Sequence, residues 1–178
     1  MTADETIRAR RSIRKYQPQE LSADLMEEIL DLARHAPSAM NGQPWQFVVI
    51  RDSDLKSKLA EIKVSRCPAD KKAYAADYLA TAPVVVAICV DRSRSFERER
   101  ENGILAAAVL ILAATSRGLG SVFLTAYRKD DPELEREVTD ALELSSEFVP
   151  VALVPLGYPA ETPPPKEMRP LEEMTRYA

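Results

Sequence analysis

The sequence is short of the side chains on which much enzyme chemistry depends. Its 178 residues include one histidine, His35, and two cysteines, Cys67 and Cys89. Without a His/Cys cluster or a Cys-x-x-Cys pair there is no basis for a zinc site or a disulfide framework, and no metal is expected. Gly-x-Ser-x-Gly and Walker motifs are missing too, so nothing points to an α/β-hydrolase or a P-loop enzyme. His35 stands at the end of an expected helix, where a cation facing the helix dipole accounts for it. Positive charge is not in excess: the net charge of -4 offers no attraction to nucleic acid or to an anionic membrane. The longest apolar run, residues 103–114, is 12 residues long. A membrane span needs about 20, so the run reads as a buried helix. Met1-Thr2-Ala3-Asp4-Glu5 is polar and lacks the apolar stretch of a secretion signal. With so few cysteines, a reducing cytoplasmic setting is expected.

What is present is the composition of a folded domain, 46% apolar and 29% charged. No repeat and no low-complexity linker divides the chain, so residues 1–178 are read as one domain. Residues 6–14 read as a short basic helix. Ser22 caps a helix over 23–35, which must stop before Pro37. Residues 46–51 form a buried strand, and Ser53 caps a helix carrying Leu55, Leu59 and Ile62. A further helix is expected over 69–80. The run Val84-Val85-Val86-Ala87-Ile88-Cys89-Val90 is the clearest core strand. An Ala/Leu-rich helix ends near Arg117, followed by a strand over 121–127, a helix over 133–144 and a strand over 148–156. From Gly157 the chain turns proline-rich and cannot build a core of its own.

Gly118-Leu119-Gly120 invites a dinucleotide-fold reading, but the order of elements is wrong for it. That motif follows a strand and opens a helix, whereas here a helix precedes and a strand follows. Gly118 is better placed as the left-handed residue that closes the long helix. Carboxylates are plentiful, yet no pair of them stands out for acid–base work.

Three segments carry more information. Arg10-Arg11-Ser12-Ile13-Arg14 gathers three guanidiniums and a hydroxyl in five residues. Such a group can grip a phosphate, although an isolated run of this kind is more often a solvated face. Residues 36–45 place small and amide side chains between two prolines and end at the only tryptophan, a rigid loop suited to lying against a planar ligand. An ordinary helix-to-strand connection with a core Trp reads the same way. The third, Lys166-Glu167-Met168-Arg169-Pro170-Leu171, taken alone is a charged tail.

In this order, Arg-Arg-Ser-x-Arg followed one helix later by Pro-Ser-x-x-Asn-x-Gln-Pro-Trp resembles the nitroreductase family of flavoproteins. The resemblance continues through Ala82-Pro83-Val84-Val85-Val86, Gly118-Leu119-Gly120-Ser121 and Leu156-Gly157-Tyr158-Pro159-Ala160, and so spans nearly the whole chain. It implies an α+β fold with a central mixed, mostly antiparallel sheet flanked by helices. It also implies an intertwined homodimer in which residues 157–178 pack on the partner subunit, with FMN in the interface and NAD(P)H as electron donor.

By the same resemblance, Arg10, Arg169 and Lys166 hold the FMN phosphate, and Arg11 and Ser12 contact the phosphate and ribityl region. Arg14 reaches the N1–C2 edge of the ring and tunes it. Pro37, Ser38, Ala39 and Asn41 come from the other subunit and pack on the ring, with Met40 toward the substrate space. Leu124 and Thr125 give backbone contacts near the ring's reactive edge. No side chain need act as acid or base, since the flavin carries the chemistry. The implied activity is electron transfer to a small organic acceptor (nitroaromatic, quinone or enone) by a ping-pong route. Related subfamilies dehalogenate, oxidise peptide-derived rings or rearrange flavin, and a flavin-binding regulatory protein with little turnover is a further alternative. The stretch 65–79, where larger relatives carry extra cofactor contacts, shows only a plain helical pattern.

Overall fold

The computed structural model describes residues 1–68 and 76–178. The sheet has the order β1 (Trp45–Ile50), β2 (Val84–Asp91), β5 (Phe148–Gly157), β3 (Gly120–Ser121), with β4 (Leu124–Thr125) also paired to β5. Every strand pair is antiparallel. The parallel share of the expected mixed sheet is one bridge between Ser12 and Ser121.

Alternation along the central strands builds two cores. On β2, Val84, Val86 and Ile88 face α2 (Ala23–Ala33) and α5 (Glu99–Ser116). Val85, Ala87 and Cys89 point the other way, onto α3 (Ser53–Ser65), α4 (Tyr78–Thr81) and α6 (Pro132–Ala141). Successive side chains on a strand take opposite faces, so a strand apolar at every position needs helices on both sides. Burial pushes the Cys89 thiol up to about 12, which keeps it protonated and inert.

The expected basic helix over 6–14 is displaced. α1 is Ala3–Ala9, opened by a capping box between Thr2 and Glu5. Arg10 leaves helical geometry at ψ 129°. The Arg11 guanidinium folds back onto the carbonyls of Arg8, Ala9 and Arg10, supplying donors to the exposed helix end. Pairing beyond the helix decides the boundary: Ile13 is buried, and its N–H donates to the Ser121 carbonyl at 2.9 Å. Asp52 rather than Ser53 caps α3, its carboxylate accepting from Leu55 N–H at 2.8 Å. Most of the helix expected over 69–80 lies outside the described residues; of the rest, Ala76 and Asp77 are not helical and α4 begins at Tyr78.

The expected strand 121–127 is split into β3 and β4. Both pieces keep one register against β5, Ser121 opposite Leu156 and Leu124 opposite Leu153, which places Val122 opposite Pro155. Proline has no N–H, and the ladder breaks there. Gly118 behaves as expected, with φ +76°. The Leu119 N–H returns to the Ala114 carbonyl and the Gly118 N–H to that of Thr115, a Schellman closure of α5.

A second irregularity fixes how α5 sits. Ile88 pairs with Ala152 and Cys89 with Pro150, so Val151 is an extra residue bulging from β5. It meets α5 at Gly103, where an added Cβ would lie 2.6 Å from the Val151 side chain. Gly103→Val is therefore expected to cost about 1–3 kcal/mol through overpacking, read as a lower denaturation midpoint.

Candidate functional site

The N-terminal arginines and the C-terminal tail meet. Lys166 lies close enough to Arg10 and Arg11 for both guanidiniums to lower its pKa, after the larger effect of its own partial burial. Arg11 and Lys166 line a cleft of about 570 Å³ together with Asp4, Ile7, Arg8, Pro165 and Met168. Arg10 lines a neighbouring groove of about 350 Å³ along α5, against Ile104, Ala108, Ile111, Leu112 and Phe123. Arg11 and Lys166 in the cleft, with Arg10 close by, concentrate positive charge that Asp4 only partly offsets. Arg169 is placed differently: its guanidinium pairs with Glu173 at 3.3 Å within the exposed tail.

Ser12 bridges to Ser121, whose hydroxyl is buried and has no hydrogen-bond partner among the described residues. An unsatisfied buried hydroxyl costs about 1–3 kcal/mol, so a donor or acceptor brought by a ligand has value here. Arg14 follows on an extended stretch. Glu161 anchors that stretch by accepting from the N–H groups of Arg14 and Lys15, at 2.5 and 3.1 Å. The exposed Arg14 guanidinium lies 6.0 Å from the centre of the Tyr78 ring. Tyr16 is fixed beneath, its hydroxyl donating to the Ile13 carbonyl at 2.6 Å. Burial pushes the Tyr16 phenol well up, so it stays a neutral donor.

The loop 37–43 stands at the N-terminal end of α5. Met40, Asn41 and Gln43 all have positive φ, at 49°, 54° and 47°. Left-handed backbone at non-glycine residues costs on the order of 1 kcal/mol or more each and persists only where surroundings enforce it. The enforcing contacts are specific. Buried Asn102 on α5 accepts from Ala39 N–H at 2.9 Å and donates to the Ser95 carbonyl at 3.0 Å. Ser38 Oγ accepts from Gln43 N–H at 3.0 Å, and Arg94 donates to the Gly42 carbonyl at 3.0 Å. A side chain at Gly42 would meet the Arg94 carbonyl at 2.1 Å, so only glycine fits under that arginine. The result presents Met40 outward, 81% exposed, with Pro37 and Asn41 exposed beside it.

Leu124 and Thr125 form β4 on the sheet edge. The Thr125 carbonyl accepts from Lys63 Nζ at 2.7 Å. Asn102, Glu161, Tyr78 and Lys63 escaped the sequence reading. Asn102 directly follows the charged residues Glu99, Arg100 and Glu101 that open α5, and like the other three it looks like an ordinary residue until the fold assembles them. Among the described residues there is no cluster of three metal-ligating side chains, and no helix is long and apolar enough to cross a membrane.

An antiparallel sheet between two helical layers, with cations from both chain ends brought together, defines an α+β domain. Residues 7–158 match the profile described as the nitroreductase family, and the chain belongs to that family of oxidoreductases. It is 33% identical to a putative NADH dehydrogenase/NAD(P)H nitroreductase of Methanothermobacter thermautotrophicus, over 92% of this chain and 81% of the relative. It is 28% identical to the iodotyrosine deiodinase of Thermotoga neapolitana, over 94% of this chain and 93% of that protein. It is 26% identical to the FMN reductase [NAD(P)H] of Bacillus subtilis, over 91% and 68%. The crystal structure of a putative NADH dehydrogenase/NAD(P)H nitroreductase from Parabacteroides distasonis superposes with TM-score 0.86 at 25% identity, covering 100% of this chain and 99% of that one.

Removing the Asn102 amide orphans the Ala39 N–H and the Ser95 carbonyl together. Asn102→Ala is expected to destabilise by about 2–4 kcal/mol, and amide hydrogen exchange should quicken first at residues 39–43.

Proposed function

We propose that this protein is an FMN-dependent oxidoreductase that works as a cytoplasmic homodimer, passing electrons from NAD(P)H to a small organic acceptor such as a nitroaromatic, quinone or enone. The observation that carries this reading is the meeting of Arg11 and Lys166 in one cleft, with Arg10 close to Lys166 in the neighbouring groove. The donor set fits FMN: cations for the phosphate, the Ser12 hydroxyl for the phosphate and ribityl region, and the exposed Arg14 guanidinium for the N1–C2 edge. FMN when bound supplies the electron-transfer chemistry, accepting two electrons from NAD(P)H and yielding them to the acceptor.

The residues then have distinct tasks. Arg10, Arg11, Lys166 and, from the tail, Arg169 bind the phosphate. Arg14 stabilises negative charge on the reduced ring: a cation about 4 Å away at an effective dielectric near 20 contributes up to about 4 kcal/mol. That is a ceiling of roughly 90 mV for a two-electron couple. The rigid loop 37–41, contributed by the partner, excludes water from the ring and offers Met40 to the substrate.

The exposed face of α5 supports the dimer. Its outer face presents Ile104, Leu105 and Ala108 to solvent, and a helix apolar all round calls for burial on every side. The helix is about 27 Å long at 1.5 Å per residue. The loop 37–43 sits at its start, and Arg10 and Phe123 lie beside Leu112 further along. A two-fold axis through this face, with the helices antiparallel, carries each loop toward the arginines of the other subunit. Residues 157–178, with Met168, Leu171, Met174 and Tyr177 all exposed, pack on the partner in the same assembly. The likeness to a deiodinase supports a second reading, a specialised reaction at the same site with nitro reduction incidental.

The purified protein is expected to be yellow and to release FMN on heating. Anaerobic mixing with NADH or NADPH should bleach the flavin band rapidly, and steady-state rates should give the parallel reciprocal plots of a ping-pong mechanism. A bound flavin that neither nucleotide reduces favours the specialised reaction; a requirement for a ternary complex removes the shared pocket. Arg14→Ala should lower the flavin potential by up to about 90 mV without changing the oligomeric state. Ile104→Arg should yield monomers in ultracentrifugation that lose FMN with them.

A further inference from the structure

Lys63 belongs to none of the segments assigned above to the cofactor. It follows Lys56 by seven residues on α3, so the two ammonium groups leave the same side of the helix about two turns apart. Each is engaged by one backbone carbonyl: Lys56 Nζ donates to Ala82 and Lys63 Nζ to Thr125, both at 2.7 Å. Burial is the leading cause that lowers both lysines.

The two clamps hold different things. Ala82 is fully buried just ahead of β2, so the Lys56 clamp is internal. Thr125 is on the open edge of the sheet. Because the Ala126 N–H donates to the Val151 carbonyl, the alternation of an antiparallel ladder turns the N–H and C=O of Thr125 away from β5. Lys63 takes that outward carbonyl, and the Thr125 N–H shares the same edge. A cavity of about 140 Å³ opens there, lined by Lys63, Leu124 and Arg128 among others.

We propose that Lys63 is a positioning residue for the cofactor: by holding the Thr125 carbonyl it sets the direction of the β4 edge and places its ammonium beside it. This rests on the reading that the edge meets the reactive side of bound FMN. Among the described residues the other charges there are paired, and Lys63 is the one bound only to a carbonyl. Facing it, Arg128 pairs with Asp130, and Arg66 is held by Glu137 and Asp131. Lys63 itself is lowered to about 8, by burial first and Arg128 second, against opposing effects of Cys67 and Asp131. It is therefore cationic below pH 8 and loses its charge as pH rises through that value. A cation at this edge favours the electron-rich reduced cofactor.

The test compares Lys63→Met and Lys63→Arg with Lys56→Met. In the apo-protein, Lys63→Met should speed amide exchange at residues 124–126 by roughly tenfold, while Lys56→Met leaves them unchanged. In the FMN-loaded protein, the midpoint potential of the wild type should show an extra inflection near pH 8. Lys63→Met should lie lower and lack it; Lys63→Arg should stay high and lack it. A flavoprotein whose Lys63→Met potential curve matches the wild type overturns the proposal alone, even if exchange is faster. A protein that binds no flavin overturns the functional reading and this proposal with it. If Lys63→Met does not fold, a wild-type curve without the inflection and identical to that of Lys63→Arg is equally decisive against it.

Discussion

Like charges gathered from both ends of the chain set the terms for this molecule. Arg10 and Arg11 come from the first turn beyond α1 and Lys166 from a tail more than 150 residues later in the chain, yet they lie close together. Their mutual repulsion, partly offset by Asp4 in the same cleft, works against this arrangement. The rest of the fold keeps the cluster in place despite that repulsion. Ile13 is pinned to Ser121, Glu161 accepts from the backbone of Arg14 and Lys15, and the Gln17 N–H donates to the Tyr158 carbonyl at 2.8 Å. Each contact ties the N-terminal stretch to the sheet edge or the tail.

The fold was largely legible because its central strands are apolar without interruption and its helices are punctuated by Ser22 and Gly118. Boundaries failed where tertiary contacts outweighed local pattern. The basic stretch 6–14 has helical spacing, but Ile13 gains more from burial under Gly120 than from another helical turn. Asp52 displaced Ser53 as a cap because a carboxylate is also favoured by the helix dipole. The break opposite Pro155 could not be seen, since it depends on which strand lies across from which residue.

The candidate site was legible only as a set. An arginine run, a proline-bounded loop and a charged tail are each ordinary, and their meaning came from their order along the chain. The structure adds what holds them: an amide on α5 for the loop, a glutamate for Arg14, a lysine for the sheet edge. These supporting residues act through contacts distant in sequence, such as Asn102 with Ala39 and Lys63 with Thr125. No spacing rule reports such pairs. α5 makes a related point, because a helix without a polar side reads as interior whether its neighbour is its own chain or another.

The gap in the ladder at Pro155 has a further consequence. It uncouples the two halves of the sheet edge mechanically. Upstream, β3 is tied through Ser121 to Ser12 and so to the arginine stretch; downstream, β4 is tied through Thr125 to α3. A continuous strand would transmit any shift at one half to the other, residue by residue. With the hydrogen-bond chain interrupted, changes around the acceptor can accumulate in the downstream half while the anchoring half stays undisturbed. The same scaffold can in this way diversify its reactions without renegotiating its hold on the cofactor.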